Sequence, residues 1–180
     1  MSYITTYTGK HFDPTAPEAS LFDVRDIAHA LSLTCRGNGH VKTFFSVGQH
    51  CVNCALEAEL RGYSQRVILA CLLHDASEAY MSDVPRPFKQ ALPAYVEAEE
   101  SLLEMIYEKY LGGKLSEEEQ RQVKAVDDDL LYYDLKELLG ETPAGEAPVL
   151  RIELDYNVQP FDKVEEQYLK LYEKYQLTKM

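Results

Sequence analysis

Val67-Ile68-Leu69-Ala70-Cys71-Leu72-Leu73-His74-Asp75-Ala76-Ser77-Glu78 is the stretch whose reading decides this chain. Seven apolar residues run directly into a His-Asp pair, and a carboxylate follows four residues after the histidine. With Ser64 as N-cap, the segment predicts a helix over about Gln65 to Tyr80, on which His74 and Glu78 share a face. Two adjacent ionisable groups in such a segment are expensive to desolvate unless a cation or hydrogen bonds compensate them. A His-Asp pair alone is also the mark of a hydrogen-bonded surface pair, so the rest of the chain decides between the two readings.

Working outward, the chain is a string of helices separated by short breakers. Asp23 and Asp26 open the first, with Val24, Ile27 and Leu31 at helical spacing, and it runs out near Cys35 before the turn Arg36-Gly37-Asn38-Gly39. Ser46 with Gln49 forms a capping-box pattern for a helix from about Val47 to Arg61, placing His50 in its first turn. Another spans about Pro93 to Leu111. Ser116 with Glu119 is a second capping box, starting a long helix to about Leu139 that holds Asp127 and ends at Gly140. Asp162 with Glu165 is a candidate cap for a last helix, over about 162–176, whose stripe of Tyr168, Leu171, Tyr172 and Tyr175 suits a core or a dimer surface. Tyr3 to Tyr7 and Val149 to Leu154 are candidate short strands, paired with each other at the periphery. The expectation is an all-α single domain over 1–180, with its core over about 23–140 and at most a short peripheral β-hairpin.

Composition narrows the function. At 180 residues and 46% hydrophobic, the chain suits one domain with a substantial core. A net charge of -12 argues against a nucleic-acid polymer as partner, because a polyphosphate surface would meet like charge. A small anion needs only a local donor cluster, and Arg36, Lys42, Arg86 and Lys89 lie in or near the segments of interest. No run approaches the roughly 20 apolar residues of a membrane span. The start of the chain lacks the basic-then-apolar form of a signal peptide, so a cytoplasmic protein with no membrane partner is expected. Cys51 and Cys54 form a C-x-x-C after His50, but no second pair completes a zinc site and no strand leads into a redox motif. With Cys35 and Cys71 they read as reduced cysteines packed between helices.

His50, His74, Asp75 and Asp127 come from three separate expected helices. Together they supply two imidazoles and two carboxylates, a nitrogen and oxygen set suited to a divalent first-row metal with positions left open. Ser46-Val47-Gly48-Gln49-His50, Leu73-His74-Asp75-Ala76-Ser77-Glu78, Asp83-Val84-Pro85-Arg86-Pro87-Phe88-Lys89 and Val123-Lys124-Ala125-Val126-Asp127 resemble segments of the HD-domain metal-dependent phosphohydrolases. Their order and spacing resemble the bacterial 5'-deoxynucleotidase branch and its uncharacterised relatives. The resemblance runs from about Asp26 to Asp134, and His74 to Lys89 is its most specific part. It implies an all-α HD-domain helical bundle and a homodimer. It also implies one divalent ion (Mn, Co, Mg, Zn, Ni or Fe) held by His50, His74, Asp75 and Asp127. The implied reaction is removal of phosphate from a small phosphorylated substrate, a deoxyribonucleoside 5'-monophosphate, by metal-activated water.

The remaining candidates carry two readings each. Glu78 is a solvated carboxylate by default, but the motif makes it a candidate for taking or donating the proton of the hydrolysis. Asp83 either caps the turn before Pro85 or, as the resemblance implies, lines the substrate site and assists. Arg36 is the candidate phosphate clamp, its guanidinium fork followed by Gly37-Asn38-Gly39, which lets backbone approach. The resembled deoxynucleotidases carry an aromatic where this chain has Gly37, which separates its nucleobase contact from theirs. His40 in the same loop and Lys89 are further substrate-binding candidates, while His11 and His29 are not expected to be ligands. In the run Asp127-Asp128-Asp129 the resemblance selects Asp127, with Asp128 as fallback, and Asp134 reads as a salt-bridge or packing partner. Hydrolases of guanosine tetraphosphate carry an adjacent Glu-Asp pair where this chain has Glu78-Ala79, which disfavours that chemistry. The alternatives are a phosphatase for another small phosphomonoester, or a non-catalytic metal-stabilised interaction module.

Overall fold

The computed structural model describes residues 3–177 as α1 (Val24–Leu33), α2 (Val47–Leu60), α3 (Gln65–Leu73), α4 (Glu78–Met81), α5 (Arg86–Lys89), α6 (Pro93–Leu111), α7 (Glu117–Asp134) and α8 (Phe161–Tyr175). The four expected N-caps at Asp23, Ser46, Ser64 and Ser116 each accept a hydrogen bond from a backbone N–H two or three residues on. At Ser116 the box is complete. At Ser46 it is half made, because the Gln49 amide donates instead to the Asp155 carbonyl at 3.1 Å. The last helix opens behind Pro160 rather than on an Asp162 cap; Asp162 lies in the first turn, where its charge suits the helix dipole. α7 runs on as a π-helical turn over Leu135–Leu139 and closes at Gly140, whose φ of +70° is left-handed.

α2 and α3 form the centre, packed on each other and both on α7 and α8; α1 lies against α2 and α8, and α6 against α3. One apolar core joins them, built around Ile27, Leu31, Leu69, Leu73, Leu102, Ile106 and Leu130. The tyrosine-rich stripe of α8 is core: Tyr168 is fully buried and donates to the Leu72 carbonyl at 2.7 Å. The fold is therefore all-α with a small hairpin, as expected.

The hairpin is not the expected one. Ile4–Thr5 pairs antiparallel with His11–Phe12, Ile4 opposite Phe12 and Thr5 opposite His11. Val149 to Leu154 forms no strand because its backbone donors go to a side chain. Both the Arg151 and Ile152 N–H groups donate to Glu57 Oε2 at 2.9 Å, while Arg61 Nε donates to Oε1 at 2.8 Å. This buried carboxylate straps the crossing segment onto α2.

The expected helix over 65–80 also breaks. α3 stops at Leu73, and residues 74–77 form tight turns in which Ala76 N–H donates to Leu73, Glu78 N–H to Asp75 and Tyr80 N–H to Ser77. In such three-residue turns i and i+3 eclipse, which brings Glu78 into line with Asp75 rather than with His74.

Candidate metal centre

α1 delivers the first side chain. Its end meets the start of α2 through an antiparallel bridge at Cys35 and Ser46, in which Arg36 N–H donates to Phe45 and Val47 N–H to Thr34, both at 2.9 Å. Gly48 permits this approach: a Cβ there would stand 3.0 Å from Ser32 N and 3.1 Å from Leu31 C. The crossing fixes Arg36 in its turn and His50 one turn into α2. Gly37 and Asn38, at φ +58° and +53°, fold the turn back, and Asp83 accepts from the Gly37 N–H. Ser82, just before Asp83, takes φ +75° with ψ 155°, a region that costs a non-glycine residue about 1–3 kcal/mol. Tyr95 Oη donates to the Ser82 carbonyl at 2.9 Å and helps hold that strained exit turn.

The two imidazoles are oriented from behind. His50, fully buried, stands between two carboxylates, with Nδ1 2.9 Å from Asp134 Oδ2 and Nε2 3.0 Å from Asp127 Oδ1; with a metal at Nε2, the ring proton would lie on Nδ1 and donate to Asp134. His74 donates from Nδ1 to the Cys71 carbonyl at 2.8 Å. Its Nε2 lies 3.3 Å from Asp75 Oδ2 and 3.6 Å from Asp127 Oδ1, buried and without a hydrogen-bond partner among the described residues. Each Nε2 therefore faces carboxylate oxygens that call for positive charge at that nitrogen, as a ring proton or as a bound metal. A histidine whose far nitrogen donates to a carboxylate or a carbonyl is also the usual arrangement of a metal ligand. The donor set thus fits a divalent cation on the chemistry of its own residues.

The local field says the same. Burial and Arg36 oppose a protonated His50, but Cys54, Asp127 and Asp134 outweigh them and hold its pKa well above the ordinary value. Burial likewise opposes charge on His74, yet Asp75 leads a set of groups that raises its pKa well above 6.5. Burial works against the Asp127 carboxylate too, and the two histidines overcome it, holding its pKa far below the ordinary carboxylate range. The pocket favours a cation, whether a proton or a metal.

Sequence-expected residues separate cleanly here. His50, His74 and Asp127 converge, and Asp75 stands beside His74. Asp128 does not join them; it pairs with Lys124 at 2.8 Å on the exposed face of α7, while Asp129 pairs with Arg61. Arg36 reaches the cluster with Nη2 3.2 Å from Asp134 Oδ2 and Nη1 3.5 Å from Asp75 Oδ2. Glu78 is buried with Oε2 unpartnered among the described residues, and burial, with Asp75 and Asp83 adding repulsion, pushes its pKa up to about 9. Asp83 is raised by burial as well. Lys89 is held by Glu99 at 2.8 Å, and His40 is exposed at the end of its turn, apart from the cluster. His11 and His29 stack on Tyr3 and Tyr7, away from it.

Two participants were expected to have only structural roles. Asp134, expected as a salt-bridge partner, is that and more: it binds His50, Arg36 and, at 3.0 Å, the Tyr156 hydroxyl. Cys54 places Sγ 3.4 Å from His50 Nε2; its position four residues after His50, on the same face of α2, was the available signal.

A cleft of about 490 Å³ between α6 and α7 opens onto His74 and Asp127, walled by Leu103, Tyr107, Leu115 and Val123 and rimmed by charged side chains. Neither Arg36 nor Glu78 lines it. A larger groove of about 1640 Å³, along α6 and α8, touches no member of the cluster. No helix among the described residues is long and apolar enough to cross a membrane.

No protein-family model matches the chain. It is 41% identical over 110 residues to the uncharacterised protein YfdR of Escherichia coli K12, a match covering 61% of this chain and 59% of that protein. It is 30% identical over 146 residues to an uncharacterised protein of Rhodobacter capsulatus, covering 76% of this chain and 73% of the relative.

Proposed function

Because the chain belongs to the family of that Rhodobacter capsulatus protein, whose name assigns no activity, the reading must come from the site, and we propose a metal-dependent phosphohydrolase that removes phosphate from a nucleoside 5'-monophosphate, with deoxyribonucleotides preferred. The observation that carries the reading is the pair of buried Nε2 atoms facing Asp127 and Asp75, each ring with Nδ1 against an oxygen acceptor behind it, beside a buried Glu78 whose Oε2 has no partner among the described residues. His50, His74, Asp75 and Asp127 would hold the cation. When bound, it supplies a Lewis acid that neutralises phosphoryl charge and makes water a competent nucleophile near neutral pH.

The chain's own residues do the rest. Asp134 keeps the proton of His50 on Nδ1. Arg36, anchored by Asp134 and Asp75, presents fixed positive charge to the phosphoryl oxygens, where charge spreads as the bond breaks. Glu78 holds or takes a proton at Oε2, and Asp83 couples that carboxyl to the Gly37 turn. The cleft beside His74 and Asp127 gives the leaving alcohol apolar walls and one ring, Tyr107. Gly37 offers no side chain to a base, which favours as second reading a phosphatase for another small phosphomonoester. A purely structural metal site would have no use for a buried, unpaired Glu78. Four free cysteines support a reducing, cytoplasmic setting, and a homodimer follows the resembled enzymes.

Two substitutions test the assignment together. Asp127→Ala is expected to lose bound metal and activity at once, whereas Glu78→Ala keeps the metal and loses about 10²- to 10⁴-fold in turnover. Full metal occupancy in Asp127→Ala, read by elemental analysis, contradicts the ligand set.

A further inference from the structure

Resting on that metal reading, we propose that the thiol of Cys54 is itself a ligand, joining His50, His74 and Asp127 beside Asp75 in a mixed nitrogen, oxygen and sulfur site selective for a thiophilic ion such as Zn²⁺ over Mg²⁺ or Mn²⁺. Donor atoms of His50, His74, Asp127 and Cys54 all lie within 4.8 Å of one another. Metal bonds of about 2.0 Å to nitrogen and about 2.3 Å to sulfur, roughly 90–120° apart, put the two atoms about 3.0–3.7 Å from each other. Cys54 Sγ stands 3.4 Å from His50 Nε2. The independent pointer is His74, whose side chain is 9% exposed and whose Nε2 turns into the same cluster without a hydrogen-bond partner among the described residues.

The neighbouring thiol is placed differently. Cys51 Sγ lies 4.0 Å from the other ring nitrogen of His74, the Nδ1 that already donates to the Cys71 carbonyl. Cys54 therefore shares the ligand face of the imidazoles, and Cys51 does not. Coordination forms one metal–sulfur bond and breaks the S–H bond, its proton passing to solvent, with no change of oxidation state. Thiolate in place of a further oxygen shifts preference from hard cations toward zinc, cobalt or ferrous iron.

The test is a Co²⁺ titration of the full-length apoprotein, followed by absorption. The expected wild-type spectrum carries the visible bands of bound cobalt and a near-ultraviolet sulfur-to-cobalt charge-transfer band. The latter is lost in Cys54→Ser and Cys54→Ala and kept in Cys51→Ser. Visible bands without charge transfer in the wild-type protein overturn the sulfur ligand and leave the metal reading standing. A charge-transfer band that follows Cys51 instead also overturns it. Absence of every cobalt band removes the metal reading itself. The wild-type spectrum decides the presence of sulfur even if a variant fails to fold.

Discussion

Asp134→Asn isolates the charge behind His50 without disturbing its shape. In the native site Oδ2 accepts from His50 Nδ1 at 2.9 Å and from Arg36 Nη2 at 3.2 Å, and Oδ1 accepts from Tyr156 at 3.0 Å. An asparagine keeps all three contacts, its carbonyl accepting from His50 and Arg36 and its amide donating to the Tyr156 oxygen, which can accept. What disappears is the negative charge that makes the His50 lone pair a stronger donor. Removing such supporting partners costs roughly 10- to 100-fold in metal affinity, about 1.4–2.7 kcal/mol. The assay is competition between the folded apoprotein and a chromophoric chelator for Zn²⁺ or Co²⁺, with folding checked by circular dichroism. Asp128→Asn is the control: that carboxylate pairs with Lys124 on the surface of α7, and its loss should leave affinity unchanged within about twofold. A folded Asp134→Asn protein with wild-type affinity refutes the claim that this carboxylate orients a metal-binding histidine.

Two further predictions concern the scaffold. Glu57→Gln keeps one good acceptor but turns an amide N–H toward Arg61 or toward the Arg151 and Ile152 N–H groups, so a loss of about 2–4 kcal/mol in urea unfolding at pH 7 is expected. The Arg61 and backbone hydrogen bonds outweigh burial and depress the Glu57 pKa below its ordinary 4.5. Its contribution is therefore full above that value and lost as pH falls through the folded one. The mutational cost should shrink between pH 5 and pH 3 if so, and a cost independent of pH contradicts the pairing. Gly48→Ala pushes a methyl group against the backbone of Ser32 and Leu31 and should cost about 1–3 kcal/mol, measured by thermal or urea unfolding; a neutral substitution would show that the helix crossing is not tight.

The helices were legible because their starts are written in short-range chemistry. Asp23, Ser46, Ser64 and Ser116 cap where side-chain acceptors stand before an apolar period. The break after Leu73 was not legible, since the residues from His74 to Ser77 include no glycine or proline and tertiary placement of the His-Asp pair overrides their local preference. The fate of Val149 to Leu154 was hidden for a related reason: its partner is the carboxylate of Glu57, about ninety positions away, and no local pattern reveals such a pairing. At the site, the members separated along the chain could be collected only through the resemblance. Among Asp127, Asp128 and Asp129 periodicity could not choose and the resemblance selected Asp127; the rotation of α7 turns that residue inward and the next two toward Lys124 and Arg61. Cys54 was read as a packing cysteine because nothing in the sequence separates one buried thiol from another; its 3.4 Å approach to His50 Nε2 appears only in the fold.

The most direct measurement is phosphate release from a panel of ribo- and deoxyribonucleoside 5'-monophosphates by the full chain supplied with Mn²⁺, Co²⁺, Zn²⁺ or Mg²⁺, run beside Glu78→Ala. Metal-dependent release from at least one of these monoesters, abolished by chelator and lost in the variant, is the predicted result. Bound metal with no release from any member of the panel, or release indifferent to Glu78, would contradict it.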